Sequence, residues 1–445
     1  MYKFPSDLYT DIRIETRKAT SISYEDGELK RNKFKAEKGA FIRIFDGERW
    51  YYSAITDIKN IQAEIDELAK MAKSNEDIYN HPVIKRLEIN SSEELKYEKN
   101  NILKVSNKEK LDLLKSYLEV FNDFKDIVTS KFLYEDNYIV KEIISSKGTN
   151  IKFDIQNAYI VDRYTLVVDG KTQRGGIRIY EDDFNKLFNR QDFFKEDIIK
   201  DINYVKNAVP VEKGTYTCIL SPTTTGIFAH ESFGHKSEAD FMIGDDKMMK
   251  EWAIGTKVGT DILNIIDTGN FVGSGYVPYD DEGTKAKENY LIKDGILNGR
   301  LHSAYTAGAL EECVTGNSRA INFEYEPIVR MTTTYIGAGN MTKEELFAGV
   351  KEGIYIDDVL HGSGMSTFTI APSRAYMIRN GKIAEPVMVS VITGNVMKTL
   401  NDIDGLSNEV EIKSLAPGGC GKLEQYPLPV GVGGPYVRVN KINVQ

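Results

Sequence analysis

Cysteine and histidine are scarce in this chain, at three and five among 445 residues. The cysteines, Cys218, Cys313 and Cys420, are odd in number and far apart, which excludes a disulfide framework and makes a reducing, cytoplasmic setting the default expectation. No stretch approaches the roughly 18 uninterrupted apolar residues of a spanning helix. The opening run Met1-Tyr2-Lys3-Phe4-Pro5-Ser6-Asp7 lacks the apolar core of a signal peptide, so no membrane role is expected. Basic residues are outnumbered, 57 Lys and Arg against 66 Asp and Glu, for a net charge of -9. A nucleic-acid surface usually needs a basic face, so nucleic acid is not an expected partner.

What is present describes an ordinary globular protein: 41% hydrophobic, 28% charged and 10% aromatic residues. The length exceeds one ordinary core and predicts two domains. Alternating apolar residues over Asp11–Glu15 and Gly39–Phe45, with Asp-Gly turns, predict antiparallel strands. Ile55, Ile58, Ile61, Ile65, Leu68 and Ala72 recur at helical spacing, with Thr56 or Asp57 able to cap the start. Ser106-Asn107-Lys108-Glu109 is a capping box, followed by Leu111, Leu114, Leu118, Phe121 and Val128 on one face. Strand texture fills Tyr138 to Tyr180, with turns at Lys147-Gly148 and Asp169-Gly170, and a helical patch runs from Asp182 to Lys206. Pro210 stops that helix and marks a domain boundary, giving 1-209 and 210-445. Beyond it glycine is frequent, with strand candidates Tyr216–Leu220, Ile262–Ile266, Tyr325–Thr334, Met377–Ile383 and Val387–Ile392. The expected class is α+β: an α/β amino-terminal domain with antiparallel strands, and a β-rich, barrel- or sandwich-like carboxy-terminal domain.

The densest chemistry lies in Gly226-Ile227-Phe228-Ala229-His230-Glu231-Ser232-Phe233-Gly234-His235. Neutral imidazole is a zinc ligand, and a glutamate beside one can take a proton from water at the metal. The pattern is one residue longer than the His-Glu-x-x-His of zinc peptidases. On a regular α-helix, residues five apart are rotated by about 140°. His230 and His235 therefore reach one ion only if the helix widens into a π-type turn or ends between them, and Gly234 makes either distortion inexpensive. Otherwise they are two histidines on opposite faces of an amphipathic helix. The spacing predicts a departure from α geometry between Ser232 and His235.

A third ligand has several candidates: Glu238, Asp240, His302, His361 and Cys420. Cys420 stands out because Gly418, Gly419 and Gly421 surround it in a stretch too open for a core filler, and a thiolate is a strong zinc donor. Cys218 sits in an apparent strand and reads as structural. Cys313 reads as a helix residue without chemistry, and His81, before a proline in a loop, is given no role.

The runs HESFGHKSEAD, YDDEG at 279–283, TGNSRA at 315–320, RMTTT at 330–334, GGCGK and PVGVGGP resemble, in order and along nearly the whole chain, the TldD/PmbA family of metallopeptidases. The amino-terminal pieces Asp11–Glu15, Asp26-Gly27 and Gly39–Arg43 fit the same resemblance. TldD-type subunits of that family carry His-Glu-x-x-x-His, which PmbA-type subunits have lost; here it is intact. The resemblance implies Zn²⁺ held by His230, His235 and Cys420. It also implies a homodimer, or a heterodimer with a PmbA-type subunit, enclosing a cavity, and substrates that are unfolded or short peptides in extended form.

On this reading Glu231 is the general base for hydrolysis. Two other classes stand beside it: a zinc-stabilised scaffold with Glu238 as fourth ligand, and a non-catalytic PmbA-like subunit of a peptide-binding chamber. The closing Gly-Val-Gly-Gly-Pro offers a weaker reading as a phosphate loop, although it follows no Gly-x-x-x-x-Gly-Lys-Ser/Thr pattern.

Overall fold

The computed structural model describes residues 2–445. In the amino-terminal half, the alternating segments become the long antiparallel pair Tyr9–Glu25 and Glu28–Phe45, joined through Asp26 and Gly27 at φ 48° and 80°. Such positive φ values suit a tight hairpin turn whose twist matches the strands. Across the sheet the order is Trp50–Ile55, Glu28–Phe45, Tyr9–Glu25, Ile127–Ser145, Asn150–Val168, with short Ser91–Glu94 parallel at the edge. The turns at Gly148 and at Asp169-Gly170 fall where the sequence places them.

Helices cover one face of this sheet. Ile61–Met71 buries Ile61, Ile65 and Leu68 against Ile12, Ile42 and Ile44. Asn107–Leu118, opened by the Ser106/Glu109 capping box, buries Leu113, Leu114 and Tyr117 against Phe132 and Tyr134. Each such apolar side chain contributes roughly 1.5–3 kcal/mol of burial. Three helix expectations need correction. Ile55 closes a strand instead of opening a helix, and Asp57 caps the 3₁₀ turn Ile58–Asn60. The second helix stops at Leu118, so Val128 is an exposed strand residue. The patch from Asp182 splits into a 3₁₀ turn, Phe184–Leu187, and the helix Gln191–Asn207.

The carboxy-terminal half is built on a closed barrel. Glu352–Gly364 pairs with Gly214–Leu220, then Val437–Val444, Ile392–Asn395 and Thr367–Arg379 follow, and the last strand returns to the first. A second, six-stranded sheet ends in Ile265–Thr268, Thr333–Ile336, Gln425–Gly434 and, at its edge, Glu411–Lys422. Met377–Ile383 is not one strand: Asn380 and Gly381, at φ 49° and 77°, turn the chain between Thr367–Arg379 and Lys382–Met388. Val387–Ile392 is likewise interrupted, and Tyr325–Thr334 holds only short pieces at Ile328–Val329 and from Thr333. The expected division at 209/210 falls inside the strand Val209–Pro210, which already pairs in parallel with Val387–Met388.

A buried ionic seam joins the amino-terminal sheet to the rest. Asp281 meets Lys141 at 2.6 Å and Arg13 at 3.4 Å, while Glu282 meets Arg43 at 2.9 Å, itself paired with Asp11. Interior charges persist only when paired like this. Asp280, their neighbour, accepts the backbone N–H groups of Glu282, Thr284 and Ser318. On the other side, Arg374 of the barrel reaches Asp201 at 2.7 Å and Asp197 at 3.0 Å on the helix Gln191–Asn207.

Candidate metal centre

The histidine stretch begins as a buried α-helix, Pro222–Ala229, capped by Ser221, whose Oγ accepts the Thr224 N–H at 3.2 Å. Its Gly226 abuts the strand Gln425–Gly434: a Cβ there would stand 2.3 Å from the Gly433 nitrogen. The closing glycines are thus a packing surface within a strand, which removes the phosphate-loop reading. At His230 the helix widens. His230–Gly234 is a π-helical turn in which the His235 N–H bonds the His230 carbonyl, and a 3₁₀ turn, His235–Ser237, follows. This is the distortion the five-residue spacing demands, and it puts both rings on one side, with centroids 5.1 Å apart. Gly234 is needed for space, since a Cβ would lie 2.1 Å from the Met331 Sδ. The turn is backed by the barrel strand Glu352–Gly364, where a Cβ on Gly362 would stand 3.4 Å from the Glu231 Cγ and one on Gly364 would lie 2.9 Å from the Glu231 carbonyl.

Cys420 comes from the edge strand Glu411–Lys422. From Leu415 to Cys420 that strand passes its partner only from Val430 to Leu428, and the bulge uses Gly418 and Gly419 at φ 104° and 129°. Only glycine takes such conformations without strain. The stretch is not open at the thiol itself: Cys420 is 3% exposed and belongs to the carboxy-terminal core, Arg330 donates to its carbonyl at 2.7 Å, and nearby Ala416 packs on Tyr159 and Val161.

His230, His235 and Cys420 each offer a ligand atom, and these atoms all lie within 4.8 Å of one another. Zinc–sulfur and zinc–nitrogen bonds of about 2.3 and about 2.0–2.1 Å, at a tetrahedral angle, separate two donors by about 3.5 Å. The Cys420 Sγ stands 3.5 Å from the His235 Nε2. The His230 Nδ1 is buried without a hydrogen-bond partner. Two imidazoles, one thiol and that separation fit a zinc ion. Burial pushes the Cys420 thiol up, but His230 and His235 outweigh it and bring it down to about 5. Burial pulls the His235 ring down, yet its bonds to Cys420 and Glu238 raise it to about 10. Zinc takes thiolate sulfur and neutral imidazole nitrogen as ligands, so affinity at such a donor set depends on pH.

The other candidate ligands lie elsewhere. Glu238 turns its Oε2 to the His235 Nδ1 at 3.1 Å, on the side of the ring away from Cys420, which speaks against a site closed by Glu238. Asp240 pairs with Lys422 at 2.7 Å. His302 is buried between Thr306 and Glu312, and His361 is exposed on the barrel strand. Cys218 is core, its thiol pushed upward by burial. Cys313 is exposed in a loop, not in the helix the sequence suggests. His81 caps the helix Pro82–Arg86 through Nδ1. Lys422 and Arg330 have no role in the reading from sequence; their only signal was membership of the GGCGK and RMTTT runs.

Similarity to known proteins points to the same class. Residues 213–445 match the family model described as PmbA/TldA metallopeptidase C-terminal domain, and residues 10–75 match PmbA/TldA metallopeptidase domain 1. The chain belongs to the TldD/PmbA family of metallopeptidases. A metalloprotease of Methanocaldococcus jannaschii is 30% identical over 97% of this chain and 95% of its own. A zinc metalloprotease TldD homolog of Saccharolobus solfataricus is 30% identical over 98% and 96%. A metalloprotease of Synechocystis is 42% identical, but over 53% of this chain and 50% of its own length. The solved structure of TldE from Thermococcus kodakarensis shares the fold, with a TM-score of 0.75 at 16% identity over 98% of this chain and 96% of that one. No helix of the described residues is long and apolar enough to cross a membrane.

Proposed function

We propose that the chain is a zinc-dependent peptidase acting on unfolded or short peptides, with His230, His235 and Cys420 as ligands and Glu231 as general base. The observation that carries this reading is the convergence of two imidazoles and a thiol within 4.8 Å, on a π-turn that also bears Glu231. When bound, the zinc ion supplies Lewis acidity, lowering the pKa of water toward about 7 and polarising a carbonyl. Glu231, half-buried beside Gly362, takes the proton of the attacking water and passes it to the leaving amine. The edge position of the Cys420 strand supports binding of an extended peptide by main-chain pairing.

Metal analysis joined to hydrolysis of an unstructured peptide, with and without chelator, tests the reading. Stoichiometric zinc and chelator-sensitive cleavage support it; cleavage that survives metal removal overturns it. Assembly as a homodimer, or with a PmbA-type subunit, belongs to the same proposal, and light scattering on the chain alone and after mixing checks it.

A further inference from the structure

Behind the ring of His235 lies a second set of charges that joins the two ligand-bearing segments. Glu238, fully buried, faces the His235 Nδ1 at 3.1 Å, while the Nε2 of the same ring faces the Cys420 sulfur at 3.5 Å. The one carboxylate oxygen that meets His235 also meets the Lys422 Nζ, at 3.2 Å. Lys422 is two residues past Cys420 and Glu238 three past His235, so this pair ties the histidine turn to the cysteine strand independently of any metal. Lys422 is itself fixed by Asp240 at 2.7 Å and by the Val329 carbonyl at 2.9 Å, with its ammonium 4.4 Å above the centre of the Phe241 ring.

A carboxylate that accepts the Nδ1–H of an imidazole fixes the tautomer with Nε2 free, sets the ring's orientation and makes Nε2 a better donor. A buried carboxylate needs a cation to stay ionised and stationary, and among the described residues only Lys422 supplies one at hydrogen-bonding distance besides the ring. We propose that Glu238 is a positioning residue which, held by Lys422, sets the metal affinity of His235 and locks its segment to the Cys420 strand. This rests on the reading of His230, His235 and Cys420 as zinc ligands.

Zinc affinity of the full chain, measured by competition with a chromophoric chelator, tests it alongside thermal unfolding of the metal-free protein. Glu238→Gln should weaken zinc binding by about 10–100-fold, and it should also lower the metal-free melting temperature, because the buried tie to Lys422 is broken. Glu238→Asp should recover part of the loss, and Lys422→Met should shift affinity in the same direction by less, with little added when combined with Glu238→Gln. Unchanged affinity in Glu238→Gln overturns the inference, as does a loss of affinity no greater than that of Lys422→Met at an equal fall in metal-free stability. If Glu238→Gln does not fold, Lys422→Met carries the test by the same two readouts. A wild-type chain that takes up no zinc overturns instead the ligand reading beneath it, a result distinct from either.

Discussion

The Sγ of Cys420 and the Nε2 of His235, 185 residues apart in sequence, face each other at 3.5 Å. That separation is the one two donors keep on a tetrahedral zinc ion, so removing the sulfur should open the site. Cys420→Ser is expected to purify with less than a tenth of the wild-type zinc after brief dialysis against a weak chelator, read by elemental analysis. Full occupancy would return the third-ligand place to another side chain.

Glu231 lies on the π-turn that starts at His230 and is closed by the His235 N–H, but it is not among the converging donors. Glu231→Gln should therefore keep zinc while peptide hydrolysis falls by about 10²–10⁴-fold, the usual scale of a lost general base. Wild-type cleavage by a zinc-loaded Glu231→Gln protein would remove Glu231 from the mechanism.

The widened turn depends on two glycines with different neighbours. A Cβ at Gly234 meets the Met331 thioether, which is flexible, whereas one at Gly226 meets the backbone of Gly433. Gly234→Ala should cost about 1–3 kcal/mol in denaturant unfolding, and Gly226→Ala more, because backbone cannot step aside. Met331→Ala should ease the first substitution and leave the second as severe. Equal effects of the two substitutions would contradict this ordering.

Asp162 offers a pH test away from the metal. It lies wholly buried, neither carboxylate oxygen has a hydrogen-bond partner, and its strand neighbours Ile160 and Tyr164 belong to the aromatic core. Desolvation raises its pKa well above the usual value, and the nearby Arg163 backbone offsets little. The folded state therefore holds this proton where the unfolded chain, with a pKa of about 3.9, has released it. Stability from this group falls as pH rises above about 4 and continues to fall until the folded pKa is reached. Asp162→Asn should flatten that slope and gain on the order of 1–3 kcal/mol at pH 8, with little gain at pH 4. Urea unfolding at both values checks it, and an equal change at the two would rule out titration as the cause.

The histidine turn was legible because side-chain direction along a helix is periodic, so a five-residue spacing states its own distortion. Cys420 stood out through its glycine neighbours and through resemblance, but not its burial, since the core it joins is assembled from distant parts of the chain. Glu238 stood out as a carboxylate near the motif, yet whether it faced the metal or the back of the ring depended on where Lys422 arrived. The Tyr-Asp-Asp-Glu-Gly run gave no hint of its pairs with Arg13, Arg43 and Lys141, since pairing across domains leaves no local period. Helix and strand ends at Ile55, Leu118 and Asn380 were missed where tertiary packing or a turn overrode an apolar pattern.

Ala416 rests on Tyr159 and Val161 of the amino-terminal sheet, four residues ahead of the thiol. The two histidines belong to one turn, but the sulfur reaches them along a border strand braced from the opposite half of the molecule. Metal occupancy is then a gauge of how firmly the halves are seated. Loosening the brace with Tyr159→Ala should release zinc while the helical signal persists. Following zinc with an indicator dye and helix content by circular dichroism would display that order of events, and simultaneous loss would refute it.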